Sequence, residues 1–96
     1  MDFTITVVQI IKEQEKIIGP LAVELARGVD GLVVNSLETK SLTFNRDVKL
    51  IVHDLIKTYS QFFGRASVEI CKDIIKKNNP SVSKEDMDVM TSDSVN

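Results

Sequence analysis

Residues 10–29, IIKEQEKIIGPLAVELARGV, recur 45 positions later as residues 55–74, LIKTYSQFFGRASVEICKDI. The two segments align without a gap, and Gly19 stands opposite Gly64. Five of the twenty aligned pairs are identical, whereas average residue usage gives roughly one or two identities. This internal repeat predicts two related helical arms, one in each half of the chain.

The first arm, residues 3–28, has the apolar spacing of an amphipathic helix. Its aliphatic side chains recur at intervals of three, four and seven residues, which places them on one helical face. Residues 3–8 alternate and include β-branched side chains, which also suits the start of a strand. The aligned residues 48–53 lie inside a clear helical pattern, so we predict helix for both segments.

The two arms differ at the position that follows the aligned glycine, which is Pro20 in the first arm and Arg65 in the second. Proline lacks a backbone donor and disfavours helical geometry at the preceding residue. We therefore predict a kink or a break at Gly19-Pro20. The second arm has no proline, so it is predicted to continue through Gly64 as one helix, with a glycine penalty of about 1 kcal/mol.

Residues 31–45, between the arms, carry alternating apolar side chains that suit two short strands with a turn near residues 38–40. An extended loop is the alternative to this β-hairpin. Asn45 or Asp47 is expected to cap the second arm, residues 46–77, because both side chains accept hydrogen bonds from a helix N-terminus.

The Asn-Asn-Pro sequence that ends at Pro80 is expected to terminate the second arm. Residues 78–96 carry a net charge of −3, whereas residues 1–77 carry +1. We predict one helical domain, residues 1–77, followed by a flexible acidic tail, residues 78–96. Within this tail, Ser83 is expected to cap one short helical turn.

Composition excludes several classes of protein. At 96 residues and 43% hydrophobic, the chain forms at most one domain. Its net charge of −2 is unsuited to binding nucleic acid, and no apolar run approaches the 18 residues of a membrane span. The single cysteine fits a reducing compartment, and no basic region precedes the first apolar stretch as in a signal peptide. We predict a cytoplasmic protein with neither nucleic-acid nor membrane partners.

Two long amphipathic helices in one chain cannot cover each other's apolar faces, because these faces are wider than one narrow seam. Either the chain folds back at Gly19-Pro20 into a compact bundle, or two chains form a four-helix arrangement across a two-fold axis. We favour the homodimer.

The aligned glycines are expected where the arms cross, since a missing side chain lets two backbones approach closely. A bulky residue at Gly64 would then overpack the contact. Gln14 and Tyr59 are aligned on the apolar stripe, where a buried polar pair would specify helix register. A small-ligand pocket near these side chains is the alternative. The expected helix-crossing and interface residues are Gly19, Gly64, Phe62, Phe63, Gln14 and Tyr59.

His53 is the only histidine, and it begins the segment HDLIKTYSQFFG. This segment resembles the active helix of histidine-phosphotransfer domains, which are four-helix bundles. Here Lys57 follows the histidine by four residues rather than three, no glycine follows that lysine, and Gly64 stands where those domains have a second glycine. The resemblance implies phosphorylation of His53. An ordinary boundary histidine is the alternative, because the repeat accounts for Lys57 and Gly64 through Lys12 and Gly19.

Few residues suggest a catalytic centre. Cys71 aligns with Ala26 among apolar neighbours, which predicts a buried position, and it lies about 27 Å from His53 along a straight helix. One histidine and one cysteine lack the spacing of a zinc site. Glu24 and Glu69 are aligned and suit surface ion pairs better than acid–base catalysis. We predict no catalytic residues, no metal and no cofactor.

The sequence therefore predicts a mainly α protein with a small β-hairpin. Its predicted function is a non-enzymatic protein–protein interaction or regulatory module that acts as a homodimer, with itself and another protein as partners. The alternatives are a phosphotransfer-type signalling module that uses His53, and a helical protein that binds a small ligand.

Overall fold

The computed structural model describes residues 2–92, which form five helices and a two-stranded antiparallel sheet. The helices are α1 (Thr4–Ile18), α2 (Leu21–Arg27), α3 (Val48–Phe63), α4 (Arg65–Asn78) and α5 (Lys84–Thr91). The strands are β1 (Leu32–Ser36) and β2 (Ser41–Phe44). The predicted mainly α fold with a small hairpin is confirmed. Within the described residues, no helix combines the length and the apolar character that crossing a membrane requires.

Each predicted arm is interrupted at its glycine. Gly19 has φ 68° and ψ −151°, and Gly64 has φ 72° and ψ −151°. This backbone region is accessible essentially only to glycine. Both glycines still close the preceding helix, because their N–H groups donate to the carbonyls of Glu15 at 2.8 Å and Ser60 at 2.7 Å. The predicted break at Gly19-Pro20 is therefore observed.

The prediction that the second arm continues through Gly64 is wrong. A positive φ at one residue aims the chain away from the helix axis, so the break needs no proline. The new helix begins directly after Gly64, whose carbonyl accepts from the Ser67 N–H at 3.1 Å. Each arm is consequently a pair of helices, and the chain turns at two glycine corners: the first corner joins α1 to α2, and the second joins α3 to α4.

The four helices of the two arms pack as a ring around one core. Helices α1 and α3 each pack against both α2 and α4. Fully buried side chains from every helix of the ring fill its centre, among them Ile10, Ile11, Ala22, Ala26, Ile51, Leu55, Cys71 and Ile75. One chain thus supplies four helices itself, whereas the prediction drew them from two chains. The homodimer stays a prediction.

The predicted hairpin is present, and its base is fixed by Arg46. The strands pair Leu32 with Phe44 and Val34 with Leu42, and Leu32 and Val34 are buried on the face of β1 that packs against α2. Arg46 Nε donates to the Asp30 carbonyl at 2.9 Å, and the Arg46 guanidinium also pairs with the Asp54 carboxylate on α3. These contacts tie the start of the hairpin to the helix that follows it.

The start of α3 follows from a capping side chain, whereas the N-cap position of α1 provides none. Of the two candidates before α3, Asp47 is the cap, since its Oδ1 accepts from the Lys49 N–H at 3.0 Å. The β-branched segment at the start of the chain is helical, as predicted, because α1 begins at Thr4.

Part of the predicted flexible tail is the helix α5. Ser83 caps it by accepting from the Asp86 N–H at 3.0 Å, as expected, but the helix has eight residues rather than one turn. Its physical basis is burial: Met90 is fully buried where α5 packs against α3 and α4. Residues 93–96 of the predicted tail lie outside the described residues.

The expected close crossing at the aligned glycines is also corrected. A Cβ placed on Gly19 or Gly64 would meet no non-neighbouring heavy atom within 4 Å. Space is therefore available at both positions, and the requirement for glycine comes from the backbone conformation alone.

Replacement of Gly64 should consequently destabilise the fold by about the same amount whatever the size of the new side chain. We expect Gly64→Ala and Gly64→Leu each to lower the free energy of unfolding by about 1–3 kcal/mol, measured by urea denaturation. Gly28→Ala is the matched control. Gly28 has φ −85°, and an added Cβ would lie at an ordinary contact distance of 3.5 Å from the Leu25 carbonyl oxygen. A much larger loss with leucine than with alanine would restore the crossing explanation.

Candidate functional site

Two buried hydrogen bonds join the glycine corners. Gln14 Nε2 on α1 donates to Ser67 Oγ on α4 at 3.3 Å, and the Tyr59 hydroxyl on α3 donates to the Ala22 carbonyl on α2 at 2.7 Å. All four residues lie within five positions of a corner glycine. Both corners therefore lie at the same end of the helix ring.

These two bonds are reciprocal in the repeat alignment. Gln14 aligns with Tyr59, and Ala22 aligns with Ser67. In each bond the donor lies in one repeat and the acceptor in the other, and the two donors are aligned with each other, as are the two acceptors. A two-fold contact between identical surfaces has this property. The repeat itself remains an interpretation of the sequence. Gln14 and Tyr59 are fully buried, so they form a polar layer inside the ring and do not line an open ligand pocket.

Burial keeps the ionisable groups of this layer neutral. Desolvation raises the pKa of Tyr59 well above its ordinary value of 10.0, and repulsion of the phenolate by an ionised Cys71 thiol and by the Glu15 carboxylate acts in the same direction. Desolvation also raises the pKa of the Cys71 thiol to about 12, against a smaller opposite effect of its hydrogen bond with Gln14. Cys71 is thus the buried, unreactive cysteine that its sequence context predicts.

Two buried polar atoms have no hydrogen-bond partner within residues 2–92. They are Gln14 Oε1, inside the polar layer, and His53 Nδ1, on the half-buried imidazole of α3. Lys57, which the phosphotransfer resemblance relates to His53, is exposed. Phosphorylation of His53 stays a prediction of the sequence alone.

Large apolar side chains are exposed at both corners. Ile17 is 52% exposed, its aligned partner Phe62 is 53% exposed, and Leu21 is 42% exposed. Together with exposed Ala66, these residues define the corner patch, and each lies two positions from a corner glycine. Phe62 was expected inside a helix crossing, and Phe63 is half-buried. The prediction missed Ile17 and Leu21, although the alignment of Ile17 with Phe62 was a usable signal.

The charged side chains differ between the two corners. Glu15 and Glu24 lie at the first corner and Arg65 at the second, and none of them forms an ion pair within the described part of the chain. Lys57 and Arg65 also line a groove of about 310 Å³ beside Gly64. Near the glycines, the first corner therefore presents two unpaired carboxylates and the second an unpaired guanidinium group.

The other charged clusters combine paired and unpaired side chains. Glu69 pairs with Lys72 at 3.7 Å, as expected for a surface ion pair, whereas its aligned partner Glu24 is exposed and unpaired within residues 2–92. Lys72 lies with Lys76 and Lys84 in a second groove, of about 650 Å³, between α4 and α5. Among the described residues, no group of three or more His, Cys, Asp or Glu side chains is arranged to hold a metal.

The two halves of the polar layer should respond differently to apolar replacement. Tyr59→Phe removes the donor to a buried carbonyl, so we expect a loss of about 1–2 kcal/mol in the free energy of unfolding. Gln14→Met has similar volume and removes the unpartnered Oε1, so its effect should stay within about 1 kcal/mol. Urea denaturation measures both. Equal losses would mean that the Gln14 amide is as important as the Tyr59 hydroxyl.

Alkaline pH should weaken the fold through the same layer. Cys71 and Tyr59 have raised pKa values in the folded state, so the unfolded chain ionises first, from about pH 9 for the thiol and pH 10 for the phenol. Stability is then retained below pH 9 and decreases toward pH 12. We expect the melting temperature to follow this course, and Cys71→Ala to move the onset from about pH 9 to about pH 10. An unchanged onset in that variant would contradict the role of the thiol.

Comparison of the chain with family models, with curated proteins and with solved structures finds no match. The functional assignment therefore depends on the chemistry and geometry of the corners themselves.

Proposed function

We propose that the protein is a non-enzymatic interaction module that acts as a homodimer, and that the corner patch is its self-association surface. The observation that carries this proposal is the exposure of Ile17 and Phe62, which are aligned in the repeat and each more than half exposed. Exposed apolar side chains that cluster at one site mark interaction surfaces more often than isolated ones do.

The position of the corner patch supports this role. The ring has its own core, and the corner patch lies at the end where both helix pairs reverse direction. Full burial of one such aliphatic or aromatic side chain stabilises an assembly by about 1.5–3 kcal/mol. A two-fold dimer buries each residue of the patch twice. The patch is therefore well suited to a second copy of the same chain.

Other features support a non-enzymatic module. The single thiol is buried and neutral, which makes Cys71 unsuitable as a nucleophile. Its free state also fits the reducing cytoplasm, where we place the protein. A further protein partner would dock on the surfaces that a dimer leaves open. The outer face of the hairpin, where Val33 is 40% exposed, is one such surface.

The proposal is tested by light scattering coupled to size-exclusion chromatography over a range of protein concentrations. We expect the unmodified chain to be a dimer and the double variant Ile17→Ser/Phe62→Ser to be a folded monomer, since both side chains lie outside the core.

Leu50→Ser is the matched control. Leu50 is 45% exposed, but it lies in the first turn of α3, about 21 Å along the helix from Gly64. We expect this variant to remain dimeric. A monomeric unmodified chain at every concentration would refute the proposal, and equal disruption by Leu50→Ser would place the interface elsewhere.

A further inference from the structure

We infer that the two-fold axis of the dimer places the first corner of one chain against the second corner of the other. In this arrangement Glu15 and Glu24 of each copy face Arg65 of the second copy. The inference rests on the proposed homodimer, and it specifies which surfaces meet and what holds them in register.

The charge difference between the corners comes from a few aligned positions. Glu15 aligns with Ser60, and Pro20 aligns with Arg65, so the first corner has an additional carboxylate and the second an additional cation. Lys12 and Lys57 are aligned and do not distinguish the corners.

Ion pairs within one chain determine which charged side chains stay unpaired near each corner. Glu13 is neutralised by Lys16 at 2.9 Å, and Glu69 by Lys72 at 3.7 Å. Glu24, the aligned partner of Glu69, has no ion pair within residues 2–92 and is exposed. After this internal pairing, the unpaired charges within five positions of the glycines are Glu15 and Glu24 at the first corner and Arg65 at the second.

The apolar side chains alone do not select an arrangement. Ile17 aligns with Phe62, and Leu21 aligns with Ala66, so both corners present apolar side chains at the same positions. Like corners and unlike corners would therefore both bury apolar surface. Apolar burial therefore contributes to affinity in both arrangements, and the preference for like or unlike corners must come from another feature of the surface.

The charges favour the unlike pairing. If like corners met, the two Arg65 guanidinium groups would face each other, and so would the carboxylates of the two first corners. Juxtaposed like charges oppose association, whereas complementary charges steer two surfaces together and fix their relative position. With unlike corners in contact, two-fold symmetry produces the favourable contact twice.

The groove at the second corner adds a complementary shape. Beside the cations Lys57 and Arg65, its lining includes the apolar side chains of Ile56 and Val68, and its volume of about 310 Å³ exceeds that of an aliphatic side chain. The first corner of the partner copy offers exposed Leu21 for this recess, with the Glu24 carboxylate in the same helical turn.

Charge reversal tests the arrangement, with sedimentation equilibrium as the measurement. Arg65→Glu should raise the dimer dissociation constant by about tenfold or more, because it turns two attractive contacts into repulsive ones. Glu15→Arg/Glu24→Arg should have a similar effect. The triple variant Glu15→Arg/Glu24→Arg/Arg65→Glu should restore the affinity, since its corners are again complementary. Circular dichroism verifies that each variant is folded.

Lys77→Glu is the control for net charge. Lys77 is exposed near the C-terminal end of α4, away from both corners, and its reversal changes the charge of the chain as much as Arg65→Glu does. We expect its dissociation constant to equal that of the unmodified protein. An equal loss of affinity in this variant would mean that overall charge, and not the contact at Arg65, controls association.

Cysteine cross-linking gives a second measurement that does not depend on affinity. A mixture of Glu24→Cys chains with Arg65→Cys chains should form a disulfide-linked dimer, whereas Glu24→Cys chains alone should not, because like corners are apart. Cys71 is fully buried and does not compete for oxidation.

The outcomes separate the two proposals. A dimer that is insensitive to Arg65→Glu, or that cross-links through Glu24→Cys alone, overturns the unlike pairing and leaves the homodimer in place. An unmodified chain that is monomeric at every concentration overturns the proposed function, and the pairing with it. Weakening by Arg65→Glu together with recovery in the triple variant supports both.

Discussion

The backbone conformation of two glycines is the constraint on which the rest of the structure depends. Gly19 and Gly64 both have positive φ with ψ near −151°, a combination that side-chain-bearing residues do not adopt without strain. Without these turns each arm would be a helix of about 40 Å or more, with an apolar face that one partner helix cannot cover. With them, each arm folds into two helices, and four short helices from one chain enclose a common core.

The reversal at the glycines also explains where apolar surface remains. Within residues 2–92, Ile17, Leu21 and Phe62 stay about half exposed next to the corners, although their hydrophobicity suits a core. Tyr59 and Gln14, one turn further inside, are fully buried and hydrogen-bonded across the ring. Burial determines the chemistry of this layer, because it keeps the Cys71 thiol and the Tyr59 phenol protonated. The same end of the ring thus has an unreactive interior and an apolar exterior.

The proposed function combines two physical terms that differ in role. Burial of apolar side chains such as Ile17 and Phe62 supplies most of the binding free energy, but it does not fix how the two copies are oriented. Charges such as Glu24 and Arg65 contribute little free energy in water and instead select the relative orientation of the two copies. A chain of 96 residues buries a modest core, so additional burial by self-association is a larger fraction of its total stability than in a bigger domain.

Local rules in the sequence determined the helical content, the hairpin, the Asp47 and Ser83 caps, and the burial of Cys71. Each of these follows from periodicity or from one side chain and its immediate neighbours. The break at Gly64 was not predictable in this way, because glycine tolerates both helical and positive φ, and only the packing of α4 against α1 and α3 selects between them. The helix α5 likewise depends on a distant apolar surface that receives Met90. The corner patch required the tertiary structure for the same reason: hydrophobicity marks Ile17 and Phe62 as core residues, and only the direction in which the chain turns leaves them exposed to solvent.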